Sequence, residues 1–222
     1  MFHVEQAEHL PSLLKLYSAQ IGIPLDECQI DQFMTYLQQI KTWNERINLT
    51  SITDDKEIIV KHFLDSLAGL KVEVIRQGAT VLDVGTGAGF PGVPLAIVRR
   101  DLEITLVERA IKKVSFLRSI VGLLRLQNVT IFPLSFENFI ASEEARNRKF
   151  DYVVTRAIKP EILLGWVSKL LSPGGKCMLY STKVLSRTLL GDNWNVSSEL
   201  KFELPRGLGK RVISVVSQDK TL

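Results

Sequence analysis

Val81-Leu82-Asp83-Val84-Gly85-Thr86-Gly87-Ala88-Gly89-Phe90-Pro91-Gly92 decides the fold. Val81, Leu82 and Val84 read as a short apolar strand. The chain then turns on Gly85, Gly87 and Gly89, where missing side chains permit positive φ and let a ligand approach the backbone. Pro91 suits the first turn of a helix carried on by Val93, Leu95, Ala96, Ile97 and Val98. Strand, glycine loop and helix in this order open a doubly wound α/β domain.

The glycine spacing narrows the ligand. A dinucleotide loop reads G-x-G-x-x-G and sets a pyrophosphate on the helix N-terminus. Here the pattern is G-x-G-x-G, with Asp83 two residues before the first glycine. A carboxylate there repels a pyrophosphate but attracts the ammonium or sulfonium of S-adenosylmethionine, which carries no phosphate. A second acid, Glu108, ends the next expected strand, Ile104 to Val107, where it could take both hydroxyls of a ribose. Either acid alone also fits a solvated loop charge or a helix cap. Both in register after consecutive strands are the stronger signal.

Outward from this loop, 222 residues with 45% hydrophobic content make one sizeable core and a small accessory part. A net charge of +4 is compatible with a nucleic-acid partner without requiring one. Cys28 and Cys177 lie far apart, so no metal site is expected, and reduced thiols in a cytoplasmic protein are. Glu5 and Glu8 stand where a signal peptide would carry basic and apolar residues, and no stretch has the length of a membrane span.

Residues 1–75 read as a helical extension packed on a domain of residues 76–222. Leu10, Leu13, Leu14 and Tyr17 form one apolar face, and Ile30, Phe33, Met34, Leu37 and Ile40 a second. Asn44 and Asn48 fit turn and cap chemistry. A further helix is expected from Asp54 to about Leu70, with His62 a hydrogen-bonded histidine rather than a catalyst. Beyond the loop, the stripe Ile111, Val114, Leu117, Val121 and Leu124 predicts a helix, and Val129–Phe132 and Phe150–Val154 predict strands. A helix from Pro160 to about Leu171 is expected to stop at Ser172-Pro173-Gly174-Gly175, before a fifth strand, Lys176–Tyr180. Leu200–Leu204 and Arg211–Val216 read as an antiparallel closing pair, giving seven strands.

In such a sheet, ligands bind outside the carboxyl ends of the strands. That rim is expected to hold Asp83, the glycine loop, Glu108, Glu137 and Arg156, with Phe90 and Phe136 packing on the ligand or simply belonging to the core. Arg156 could hold a base or a carboxylate, or pair with Asp83 or Glu137 to tie the strand ends. Arg99, Arg100, Arg109, Lys112 and Lys113, and then Arg146, Arg148 and Lys149, are candidates for an RNA surface or plain solvated charge.

Four segments occur together and in order: Trp43-Asn44-x-x-Ile47-Asn48-Leu49-Thr50, His62-Phe63-Leu64-Asp65-Ser66-Leu67, Asp83 to Gly92, and Arg156-Ala157. Over about residues 33–175 the chain resembles the bacterial small-subunit ribosomal RNA methyltransferase G family. The resemblance implies a Rossmann-like methyltransferase fold with a mostly parallel seven-stranded sheet. It also implies methyl transfer from S-adenosylmethionine, leaving S-adenosylhomocysteine, to N7 of a guanine in 16S ribosomal RNA. The implied cofactor contacts are Gly85, Phe90, Phe136, Glu137 and Arg156, beside Asp83, Gly87, Gly89 and Glu108 from the pattern above. Arg156 is the expected catalytic residue. The resemblance further implies a cytoplasmic protein acting on the small ribosomal subunit, away from membranes, and a monomer is expected. Departures from the family pattern fall at Phe136, at Glu108-Arg109, at Ser181-Thr182-Lys183 and at Gly209-Lys210-Arg211-Val212. The last two bear on RNA docking more than on the cofactor. Methylating N7 of guanine needs no proton removed from the attacking atom, so neither triad nor metal is expected. Three other readings stay open: a methyltransferase acting on a protein or small molecule, a nucleotide-dependent oxidoreductase disfavoured by the loop, and a non-catalytic RNA-binding assembly factor.

Overall fold

The computed structural model describes residues 9–191 and 193–218. Glu5 and Glu8, on which the signal-peptide expectation rests, lie outside them.

Before the sheet, the chain is helical. Leu13 and Leu14 of α1 (Leu10–Gln20) are buried. The chain breaks at Gly22, whose φ is +74°. α2 (Glu27–Asn44) begins at a capping box, in which Asp26 accepts from the Gln29 N–H and the Gln29 side chain accepts from the Asp26 N–H. Its buried face is Ile30, Phe33, Tyr36, Leu37 and Ile40; Tyr36, absent from the expected stripe, is fully buried, while Met34 is only partly so. The helix expected from Asp54 is a helical run of several pieces: α3 (Asp55–Ile58), a π-helical segment (Ile59–Leu64), α4 (Asp65–Leu67) and α5 (Gly69–Val72).

The sheet has seven strands in the order β3-β2-β1-β4-β5-β7-β6. These are β1 (Thr80–Val84), β2 (Glu103–Val107), β3 (Val129–Phe132), β4 (Phe150–Thr155), β5 (Leu171–Ser181), β6 (Trp194–Glu203) and β7 (Lys210–Gln218). β1 to β5 run parallel, and β7 is antiparallel to both β5 and β6. Strand order reverses between β1 and β4, so the crevice of a doubly wound sheet opens at the carboxyl end of β1.

Alternation along the strands divides the interior in two. Val81, Ile104, Leu106, Tyr152 and Val154 face the N-terminal helices, α6 (Gly92–Val98) and α7 (Ile111–Leu123). Leu82, Val84, Val107, Val153 and Cys177 face the other way, toward α8 (Phe136–Ala141), α9 (Glu143–Arg146), α10 (Pro160–Val167) and α11 (Arg187–Leu190). Val114, Leu117 and Leu124 of the expected α7 stripe are buried, joined by Phe116 and Ile120, while Ile111 is 66% exposed. α10 ends at Val167 rather than Leu171, and β5 starts at Leu171, ahead of the Pro-Gly-Gly segment. The closing pair is longer than predicted because the exposed residues of β6 interrupt its apolar pattern. Among the described residues, no helix is long and apolar enough to cross a membrane and no three His, Cys, Asp or Glu gather as metal ligands.

Candidate active site

Gly85, Gly87 and Gly89 adopt φ of +69°, +62° and +100°, and the N–H groups of Gly85 and Thr86 both donate to the Val107 carbonyl. Asp83 shares its strand face with Val81, which aims it at α6. One of its carboxyl oxygens accepts from the Thr86 hydroxyl (2.6 Å) and from the Gly92 N–H (2.8 Å). Gly92 is irreplaceable there, since a Cβ would lie 2.3 Å from a Leu106 methyl and 2.8 Å from that oxygen. Asp83 is fully buried, and burial pushes its pKa up to about 7. Expected to meet a ligand's positive charge, it instead braces the loop from behind.

Glu108 stands on the open side. One carboxylate oxygen accepts from the Gly87 N–H (2.9 Å), the other from the Ala110 N–H (2.8 Å). Beside it opens a cleft of about 530 Å³. Gly85, Gly87 and Glu108 form one side, Ser135, Phe136 and Glu137 another, and Ile158, Lys159 and Ile162 a third. Phe136 is 5% exposed, core and cleft wall at once. The Glu137 carboxyl is held below the usual carboxylate range by its own N–H and the Ser135 hydroxyl, with a smaller contribution from Arg109.

Asp83, Gly89, Phe90 and Arg156 lie outside this lining and join the cluster that ties the N-terminal helices to the sheet. The Phe90 ring stacks on His62 at 4.5 Å and 13°, and the Arg156 guanidinium lies 5.9 Å from its centre. Arg156 pairs with neither Asp83 nor Glu137 but with Asp65 (3.0 Å), and donates to the Lys61 carbonyl (3.0 Å). Asp65 is buried and also takes Arg211 (3.2 Å). One carboxylate thus joins α4 to the ends of β4 and β7. His62 is hydrogen-bonded to Thr50 (2.8 Å), as expected; burial first, then the Arg156 charge, lowers its pKa to about 3. Asn44 caps the turn by accepting from the Leu49 and Thr50 N–H groups. Behind Gly89, the Tyr36 hydroxyl donates to the Ala88 carbonyl, so α2 holds the glycine loop.

The cations divide by end of the sheet. Arg109, Lys113 and Lys159 border the cleft. Arg99 and Arg100 precede β2, and Arg146, Arg148 and Lys149 precede β4, so both groups sit at the amino ends of the strands, away from it. Asp65, Arg211 and Lys159 are not among the site residues expected from the sequence. The spacing of Asp65 and Ser66 at i+3 and i+4 from His62 is the available signal for the first; nothing local marks the other two.

With this geometry in view, the family described as rRNA small subunit methyltransferase G matches residues 29–204. The chain belongs to that family. A relative named ribosomal RNA small subunit methyltransferase G from Clostridium perfringens (strain SM101 / Type A) is 41% identical over 146 residues, covering 66% of this chain and 61% of the relative. The match thus spans about three fifths of that relative's length. A protein of the same name from Leuconostoc citreum (strain KM20) is 36% identical over 209 residues, 90% of this chain and 87% of the relative. Among solved structures, the ribosomal protein L11 methylase from Lactobacillus delbrueckii subsp. bulgaricus superposes with a TM-score of 0.53 at 15% identity, covering 72% of this chain and 79% of the other. That likeness concerns the fold: the sheet of this chain is the mostly parallel, seven-stranded Rossmann-like methyltransferase sheet that the family resemblance implied.

Proposed function

We propose that this member of the family transfers the methyl of S-adenosylmethionine to N7 of a guanine in 16S ribosomal RNA. The observation that carries the reading is Glu108, held by the backbone of Gly87 and Ala110 at the wall of the cleft. The donor set fits that cofactor: a carboxylate for the ribose hydroxyls, Cβ-free backbone at Gly85 and Gly87, apolar walls at Phe136 and Ile158, and no cationic cradle for a pyrophosphate on the loop. S-adenosylmethionine supplies, when bound, an electrophilic methyl on sulfur. The chain's part is to orient and to exclude water; aligned reactants gain as much as ~7–11 kcal/mol. Guanine N7 offers a free lone pair, so no side chain has to remove a proton. Arg156, fixed by Asp65, keeps the end of β4 and Phe90 in place beside the loop, and in this reading supports the reacting end of the site from outside the cleft lining. The helices before residue 75 serve as the brace of a methyltransferase unit that follows them, through Tyr36 and the Ala88 carbonyl. Arg109, Lys113 and Lys159 around the cleft favour RNA over a neutral small acceptor. The protein then works in the cytoplasm, as a monomer on the small subunit.

Two small-subunit transcripts test the reading, one with guanine and one with 7-deazaguanine, each incubated with labelled S-adenosylmethionine. Label should enter the first alone. Equal label in both would place the methyl elsewhere than N7, and label in neither, with cofactor bound, would move the acceptor to another molecule.

A further inference from the structure

The outer face of α10 is not an ordinary solvated helix surface. Ile162 and Trp166 follow at i and i+4 on one face, with Lys159 at the N-cap before the helix and Lys169 just past its end, while Leu163, Leu164 and Val167 turn inward. Ile162 and Trp166 are each 47% exposed, and the Lys169 ammonium lies 5.8 Å from the Trp166 ring centre. The helix's acid, Glu161, is in its first turn, where it complements the dipole. Gly165 stands inside the helix, next in sequence to Trp166, although glycine weakens a helix interior. Packing does not require it, because an added Cβ would meet nothing within 4 Å. What it leaves is bare backbone next to an aromatic face. The stripe begins at the cleft, which Lys159 and Ile162 border.

We propose that this face is a stacking platform for single-stranded RNA, holding the nucleotide beside the one whose base enters the cleft. The proposal rests on the methyltransferase reading above. An indole takes any base on its π-face, the two lysines meet phosphates, and Gly165 lets the sugar-phosphate chain lie against the helix backbone. A base that occupies the ring releases the Lys169 ammonium to the adjoining phosphate. Ile162 to Trp166 is about one helical turn, ~6 Å along the axis, so the platform sits next to the cleft rather than on a remote surface. Charge complementarity selects RNA over an apolar protein partner, since the exposed apolar pair lies between two cations.

Indole fluorescence reports the contact directly. Titrating the full chain with a single-stranded small-subunit RNA fragment should quench the emission, and Trp166→Phe should abolish most of that quench while binding within a few-fold of wild type. Trp166→Ala should weaken binding about 10-fold. Gly165→Ala should raise the melting temperature by about 2 °C and still weaken RNA binding, a combination a structural role does not produce. S-adenosylmethionine affinity should be unchanged in all three. RNA binding unaltered in Trp166→Ala and Gly165→Ala, or quenching by a blunt duplex equal to that by the single strand, would overturn the proposal. Methyl transfer to RNA with unchanged kcat/KM in Trp166→Ala would sink the platform alone, whereas wild type that binds cofactor and transfers nothing to RNA would sink the functional reading with it.

Discussion

Thr86 and Gly92 both donate to one oxygen of Asp83, and the other oxygen has no hydrogen-bond partner among the described residues. Burial therefore dominates, and the folded protein holds a proton there up to about pH 7, against an ordinary value of 3.8. Between those values the folded chain binds more protons than the unfolded one, so this residue's contribution to stability falls as pH rises. His62 acts in the opposite sense: its pKa is lowered from 6.5 to about 3, so its contribution falls as pH drops through that range. The comparison of wild type with Asp83→Asn cancels His62. Urea unfolding should show the variant gaining on wild type by roughly 2–4 kcal/mol between pH 4 and pH 7; parallel curves would contradict a raised Asp83 pKa. Glu108 has the complementary role on the open side. Glu108→Ala should weaken S-adenosylmethionine at least about 10-fold by calorimetry, about 1.4 kcal/mol, and leave the fold intact. Unchanged affinity would remove Glu108 from the site. The sequence marks both acids but not their directions. Strand alternation from Val81 would have sent Asp83 inward, and only the pairing of β1 with β2 brings Glu108 beside Gly87.

Between elements, the joint is Asp65 on α4 with Arg156, just past β4, and Arg211 on β7. Removing one charge from a buried group costs more than the pair contributes, because the partners stay behind unpaired. Asp65→Asn should lower unfolding free energy by about 3 kcal/mol in urea, and a change below about 0.5 kcal/mol would show that the arginines find other partners. The elements themselves were largely legible: the starts and ends of β1 to β4 follow apolar runs of the expected length. The departures have local causes. The π-helical segment Ile59–Leu64 keeps an apolar pattern indistinguishable by period from an α-helix, yet it shifts the register that delivers His62 to Phe90 and Asp65 to Arg156. β5 begins ahead of Pro173-Gly174-Gly175 because Leu171 pairs with Phe150 across an irregularity that turn residues conceal.

For the whole molecule, two helical layers cover the sheet's faces, and the cleft lies at its carboxyl rim, over the ends of β1 to β4. The rim's charge is not legible in the sequence, since runs such as Arg146 to Lys149 look basic wherever they stand and fit RNA surface or solvated charge alike; topology puts them at the opposite end and keeps Arg109, Lys113 and Lys159 at the cleft. Fold and family follow from the glycine loop and its companion motifs, whereas the acceptor depends on what that rim admits. The most direct measurement is nucleoside analysis of unmethylated 16S ribosomal RNA after incubation with the protein and S-adenosylmethionine. The account predicts 7-methylguanosine as the new nucleoside, its yield collapsing with Glu108→Ala. Another methylated nucleoside, or none from protein that demonstrably binds the cofactor, would contradict it.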